Sequence, residues 1–65
     1  MTEKERDELS ERLVSMLKEI KGADIRLQNG DIEGARINVR LVAARLALMD
    51  NELAWYQHEQ DLNRK

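Results

Sequence analysis

Gln28-Asn29-Gly30-Asp31 decides how this chain folds, because it is the one clear interruption in an otherwise continuous helical pattern. Asn and Gly tolerate the left-handed backbone conformation that ends a helix, and Asp is a good N-cap for the next one. The four residues read as a tight turn between two helices, one over about residues 3–28 and one over about residues 32–62. The chain is then a single all-α domain over residues 1–65.

Upstream of the turn, Thr2-Glu3-Lys4-Glu5 fits a capping box, in which the Thr hydroxyl and the Glu carboxylate each accept a backbone N–H at the helix start. From there Leu9, Leu13, Met16, Ile20, Ala23 and Leu27 recur at alternating spacings of four and three, which places them on one stripe of a helix. Gly22 interrupts this helix at about 1 kcal/mol relative to Ala and marks a close helix contact or a bend. Downstream, Ala35, Val39, Val42, Leu46, Met49, Leu53 and Tyr56 repeat the same spacing. Folding back about Gly30 aligns the stripes in antiparallel register: Leu27 with Ala35, Ala23 with Val39, Ile20 with Val42, Met16 with Leu46, Leu13 with Met49, Leu9 with Leu53. These two stripes are the expected core of the hairpin. The register also sets Arg6 opposite Tyr56, as for a cation–π contact, and puts Asn38 at the stripe edge, where a polar residue fixes register. A continuous bent helix that swaps partners across Gln28 to Asp31 would use the same heptads. The chain end, from Asn63 to Lys65, is expected to fray.

Composition limits the rest. A chain of 65 residues buries only about 60% of its unfolded surface, so some staple is needed. With no Cys and one His, His58, neither a disulfide nor a four-ligand zinc site within the chain can supply it, which leaves oligomerisation. Absence of Cys fits a reducing compartment, and Met1 to Arg12 contains no apolar segment of the kind a secretory signal needs. No apolar run approaches the roughly 18 residues of a membrane span. The expectation is a soluble, cytoplasmic protein. Charged residues make up 37%, aromatics 3%, and the net charge is -2, which suits a long-helix or coiled-coil protein better than a basic nucleic-acid binder.

The second helix carries a further apolar set, Ile37, Leu41, Ala44, Leu48, Trp55 and Leu62, well around the helix from the first stripe. One hairpin cannot cover both, and the first helix has a thinner counterpart in Val14, Leu17 and Ile25. Ala43, Ala47 and Ala54 leave room for another helix to approach. A symmetric dimer that pairs two hairpins into a four-helix bundle would satisfy both stripes. The alternatives are that the set belongs against a different protein, or consists of scattered surface residues.

Arg26, Arg36, Arg40 and Arg45 are the candidate anion or nucleic-acid contacts, since Gly34 to Met49 holds three Arg and no acid. Against that reading, Glu8, Glu11, Glu19 and Asp24 are available to pair with them. Trp55-Tyr56-Gln57-His58 is the one aromatic cluster; aromatics can stack on bases, yet Trp55 and Tyr56 each continue an apolar stripe. His58, with Glu59 and Asp61 nearby, is a weak metal candidate and more simply a solvated side chain. No nucleophile stands beside a base, and no cofactor or small-molecule substrate is indicated.

The stretch Asn29-Gly30-Asp31-Ile32-Glu33-Gly34-Ala35 looks like the start of a tetratricopeptide repeat, but the 34-residue period of that family is missing. Over its full length the chain is similar, in size and architecture, to the small helical-hairpin accessory proteins of phages and plasmids, of which Rop is the familiar type. That resemblance implies a small regulatory or host-interacting factor and carries no residues across. The leading expectation is a non-enzymatic, homo-oligomeric interaction or regulatory protein with itself and an unidentified protein as partners. An RNA- or DNA-binding dimer using the Arg residues, and a structural subunit of a larger assembly, are the alternatives.

Overall fold

The structure, a computed structural model, describes residues 1–63. Two helices, α1 (Glu3–Gln28) and α2 (Ile32–Asn63), pack against each other as an antiparallel hairpin. The fraying expected of the chain end lies, apart from Asn63, outside the described residues.

Local chemistry accounts for where each helix starts and stops. At the start of α1 the Thr2 amide donates to the Glu5 carboxylate at 3.0 Å, and the Glu5 amide donates to the Thr2 hydroxyl at 3.1 Å. This reciprocal pair occupies amides that a helix N-terminus otherwise leaves without acceptors. At the other end, the Gly30 amide donates to the Leu27 carbonyl at 3.0 Å and the Asp31 amide to the Arg26 carbonyl at 2.8 Å. Those two bonds form a Schellman motif, which requires a left-handed residue between them. Gly30 supplies it, with φ at 80°.

Asp31 then opens α2: its carboxylate accepts the Gly34 amide at 2.9 Å and its carbonyl accepts the Ala35 amide at 3.1 Å. Gly34 is buried beneath this cap. A Cβ there would overlap the Asp31 carboxylate and lie 2.7 Å from the Arg26 guanidinium. One residue therefore serves the turn through its backbone freedom, and another through its lack of a side chain.

Burial along the two stripes alternates. Leu9, Met16, Ala35, Val42 and Met49 are buried, and Ala23 and Tyr56 are half-buried. Leu13, Ile20, Leu27, Val39, Leu46 and Leu53, expected in the same core, are instead exposed, at 42–58%. The reason is geometric. Two helices enclose only the side chains that lie between their axes, which recur every seven residues, while the residue four positions on is rotated about 40° away from the partner helix. The hairpin core is thus a single file, with Met49 at 1% exposure as its most enclosed member.

The close approach expected near Gly22 is present: a Cβ on Gly22 would lie 3.3 Å from the Asn38 amide nitrogen. That nitrogen donates to the Glu19 carbonyl and carboxylate, both at 3.4 Å. Asn38 thereby ties the helices at the edge of the file. The whole molecule measures 54 × 18 × 11 Å.

Candidate interaction surfaces

Each flank of the file follows from its heptad spacing. The residues three positions after Leu9, Met16 and Ala23 are Arg12, Glu19 and Arg26; those three after Ala35, Val42, Met49 and Tyr56 are Asn38, Arg45, Glu52 and Glu59. Three positions is a rotation of about 60° in the sense opposite to four positions, and because the helices are antiparallel both sets turn to the same side of the hairpin. This side is polar and internally paired. Arg12 meets Glu52 at 2.8 Å and Arg45 meets Glu19 at 3.1 Å. Glu5, four residues before Leu9, accepts the Tyr56 hydroxyl.

The electrostatics of this face follow from those contacts. The Tyr56 hydroxyl, and then the Thr2 backbone and hydroxyl, hold the Glu5 carboxyl below the usual range, while the Glu5 carboxylate pushes the Tyr56 phenol up to about 12. Glu52 likewise raises the Arg12 guanidinium. The Arg6–Tyr56 contact expected from the sequence is replaced by this Glu5–Tyr56 bond, and Arg6 lies against Asp7 at 3.4 Å.

On the opposite side, the residues four positions on are aliphatic: Leu13, Ile20 and Leu27 on α1, and Val39, Leu46 and Leu53 on α2. Ile32, three before Ala35, joins them. These seven side chains, each 42–58% exposed, make one ribbon running from the turn toward the far end. Near its middle Ile20 and Val39, with Ala23 and Val42 beneath, line an apolar crevice of about 130 Å³ between the helices. Sequence reading missed Ile32 as a surface residue of this set. The signal that would have found the two unlike faces is the contrast between positions three and four residues after each buried one.

The second apolar set lies elsewhere. Leu41, Leu48, Trp55 and Leu62 recur every seven residues on the outer flank of α2, next to the polar side, and all are exposed, as are Ile37 and Ala44. Leu48 shares a shallow hollow with Arg12, Ser15, Met16 and Arg45. The Trp55 ring lies against His58, with centroids 6.1 Å apart and planes inclined at 41°.

The four candidate Arg residues do not converge. Arg45 is engaged with Glu19, and Arg26 packs over Gly34 at the turn. Arg36 and Arg40 lie on the other flank, where they border a groove with Ile32, Glu33 and Ile37 that is formed by successive turns of α2 alone. Among the described residues neither of them has a carboxylate within 4.0 Å. Also among the described residues, no three His, Cys, Asp or Glu side chains converge as for a metal ion, and no helix is long and apolar enough to cross a membrane. The chain matches no family model, no curated protein and no solved structure.

Proposed function

We propose that this chain is a non-enzymatic helical interaction protein that self-associates through its aliphatic ribbon into a four-helix bundle and uses the outer flank of α2 to dock another macromolecule. One observation carries the reading: seven exposed aliphatic side chains lie on one face of a hairpin whose other face carries ion pairs between its own two helices. Apolar patches of that extent mark interaction sites. The surface area points the same way. A folded monomer of 7.6 kDa exposes about 4,300 Å², whereas this hairpin exposes 5565 Å². The excess of about 1,200 Å² is larger than the roughly 800 Å² each partner contributes to a stable interface of ordinary size.

Once the ribbon is covered, Leu41, Leu48, Trp55 and Leu62 remain outside the bundle, with Trp55 as the anchor expected of a docking surface. The nucleic-acid reading is disfavoured because the four Arg residues are dispersed and one is neutralised by Glu19. Likeness in size and two-helix architecture to phage and plasmid hairpin proteins supports a regulatory or host-interacting role, in a reducing compartment given the absence of Cys.

Light scattering coupled to size-exclusion chromatography tests the self-association. The expected mass is twice 7.6 kDa for the wild type and for Leu48→Glu, falling to the single-chain mass for Leu46→Glu with helicity retained at high protein concentration. A monomeric wild type, or a dimer split by Leu48→Glu and untouched by Leu46→Glu, would overturn the assignment of the ribbon.

A further inference from the structure

The ribbon has a symmetry of its own that specifies how a second copy sits on it. Along α2 its members Ile32, Val39, Leu46 and Leu53 are centred between Val42 and Ala43; along α1 Leu13, Ile20 and Leu27 are centred on Ile20. The hairpin brings these two centres together, since Ile20 and Val42 line the same crevice. A two-fold axis crossing the hairpin at that level would therefore set Ile20 against the partner's Ile20, Leu13 against the partner's Leu27, Val39 against the partner's Leu46 and Ile32 against the partner's Leu53. Every ribbon residue acquires an aliphatic counterpart.

On α2 the rim of the ribbon repeats the same centre. One position after each buried residue of α2, a rotation of about 100° toward the ribbon side, stand Arg36, Ala43, Asp50 and Gln57, all exposed. Among the described residues neither Arg36 nor Asp50 is in an ion pair. They lie seven residues to either side of Ala43.

We propose that two copies pack ribbon to ribbon with their turns at opposite ends, so that α2 runs antiparallel to the partner's α2, Ala43 meets the partner's Ala43 at the two-fold axis, and Arg36 pairs with the partner's Asp50. This arrangement rests on the self-association proposed above. Isologous packing makes each contact twice, so a single favourable pair gives two. Ala43 contributes the small side chain that lets neighbouring helices approach closely.

The other face-to-face arrangement, with both turns at one end, stacks α1 on the partner's α2. It would give Arg36 the partner's Asp24 and leave Asp50 opposite the partner's Ser10, whereas the first gives Arg36 the partner's Asp50 and leaves Asp24 opposite the partner's Leu17. Arg36 meets a partner carboxylate twice in either geometry, and what separates the two is whether that carboxylate is Asp50 or Asp24 and whether Ala43 meets its own counterpart at the axis.

Because the chain has no native Cys, Ala43→Cys reports the axis directly. Mild oxidation is expected to link two copies covalently, since a disulfide forms only where the Cα atoms approach to about 4.4–6.8 Å. Arg36→Asp and Asp50→Arg are each expected to weaken the dimer about tenfold, and the double variant to restore it. Cross-linking together with that rescue supports the arrangement. A dimer by light scattering that fails to link through Ala43→Cys, or whose double variant is weaker than either single one, overturns it while leaving self-association intact. A monomer at all concentrations overturns both readings.

Discussion

At Gly30 the backbone holds φ at 80° and nothing lies within 4 Å of where a Cβ would be placed. Any penalty for Gly30→Ala is therefore conformational and should be about 1–2 kcal/mol, the disfavour of the left-handed region for an L side chain. Urea denaturation followed by circular dichroism would read it as a lower midpoint with unchanged slope. Glu5 and Tyr56 make a second residue-scale prediction. The phenol donates to a carboxylate, so the fold favours ionised Glu5 and neutral Tyr56. Glu5 accordingly contributes stability that is present above its ordinary value of 4.5 and is lost as pH falls through its lowered folded value. Tyr56 contributes stability that is present below 10.0 and is lost as pH rises toward about 12. Ultraviolet titration of the tyrosinate should give a midpoint near 12 in the wild type, moving toward 10.0 in Glu5→Gln. A midpoint unmoved by that substitution would exclude the bond. The capping box and Gly30 were legible in sequence because each is settled by neighbours within a few positions. The partner of Tyr56 was not, because a contact far from the turn depends on which neighbouring residue of α1 faces the seam, and alignment of stripes does not choose between Glu5 and Arg6.

The same limit operates on the helices as elements. Alternating spacings of four and three told which stripe of each helix faces its neighbour, and the two stripes do meet. They did not tell how many helices share the stripe, and that number decides burial: a pair encloses Leu9, Met16, Val42 and Met49, and leaves Leu13, Ile20, Leu46 and Leu53 at its edge. Energies should divide along that line. Met49→Ala removes the most enclosed side chain and is expected to destabilise by about 2–5 kcal/mol, enough to unfold a chain with so short a core. Arg12→Ala breaks a well-formed ion pair whose side chains are 45% and 46% exposed, so solvent screening should keep its effect well below that of the Met49 variant. Thermal melts of the two variants side by side would check the ordering. An Arg12 variant as damaging as the Met49 variant would mean that the polar face, rather than the single file of apolar residues, holds the helices together.

For the molecule as a whole, size and shape set the terms. A radius of gyration of 15.6 Å compares with about 11 Å for a compact chain of this length, and an extended hairpin has little interior with which to offset the entropy of ordering its residues. If the ribbon is where that deficit is made up, folding and association are one equilibrium and stability must depend on protein concentration. For a dimer of two such chains the melting temperature should rise by about 5 °C for each tenfold increase in concentration. In Leu46→Glu, at concentrations where it is monomeric, the melt should be low and independent of concentration. A wild-type melting temperature that stays constant over two decades of dilution would separate folding from association. The hairpin would then be stable with its ribbon in water, and the seven aliphatic side chains would have to be explained by a partner other than a second copy.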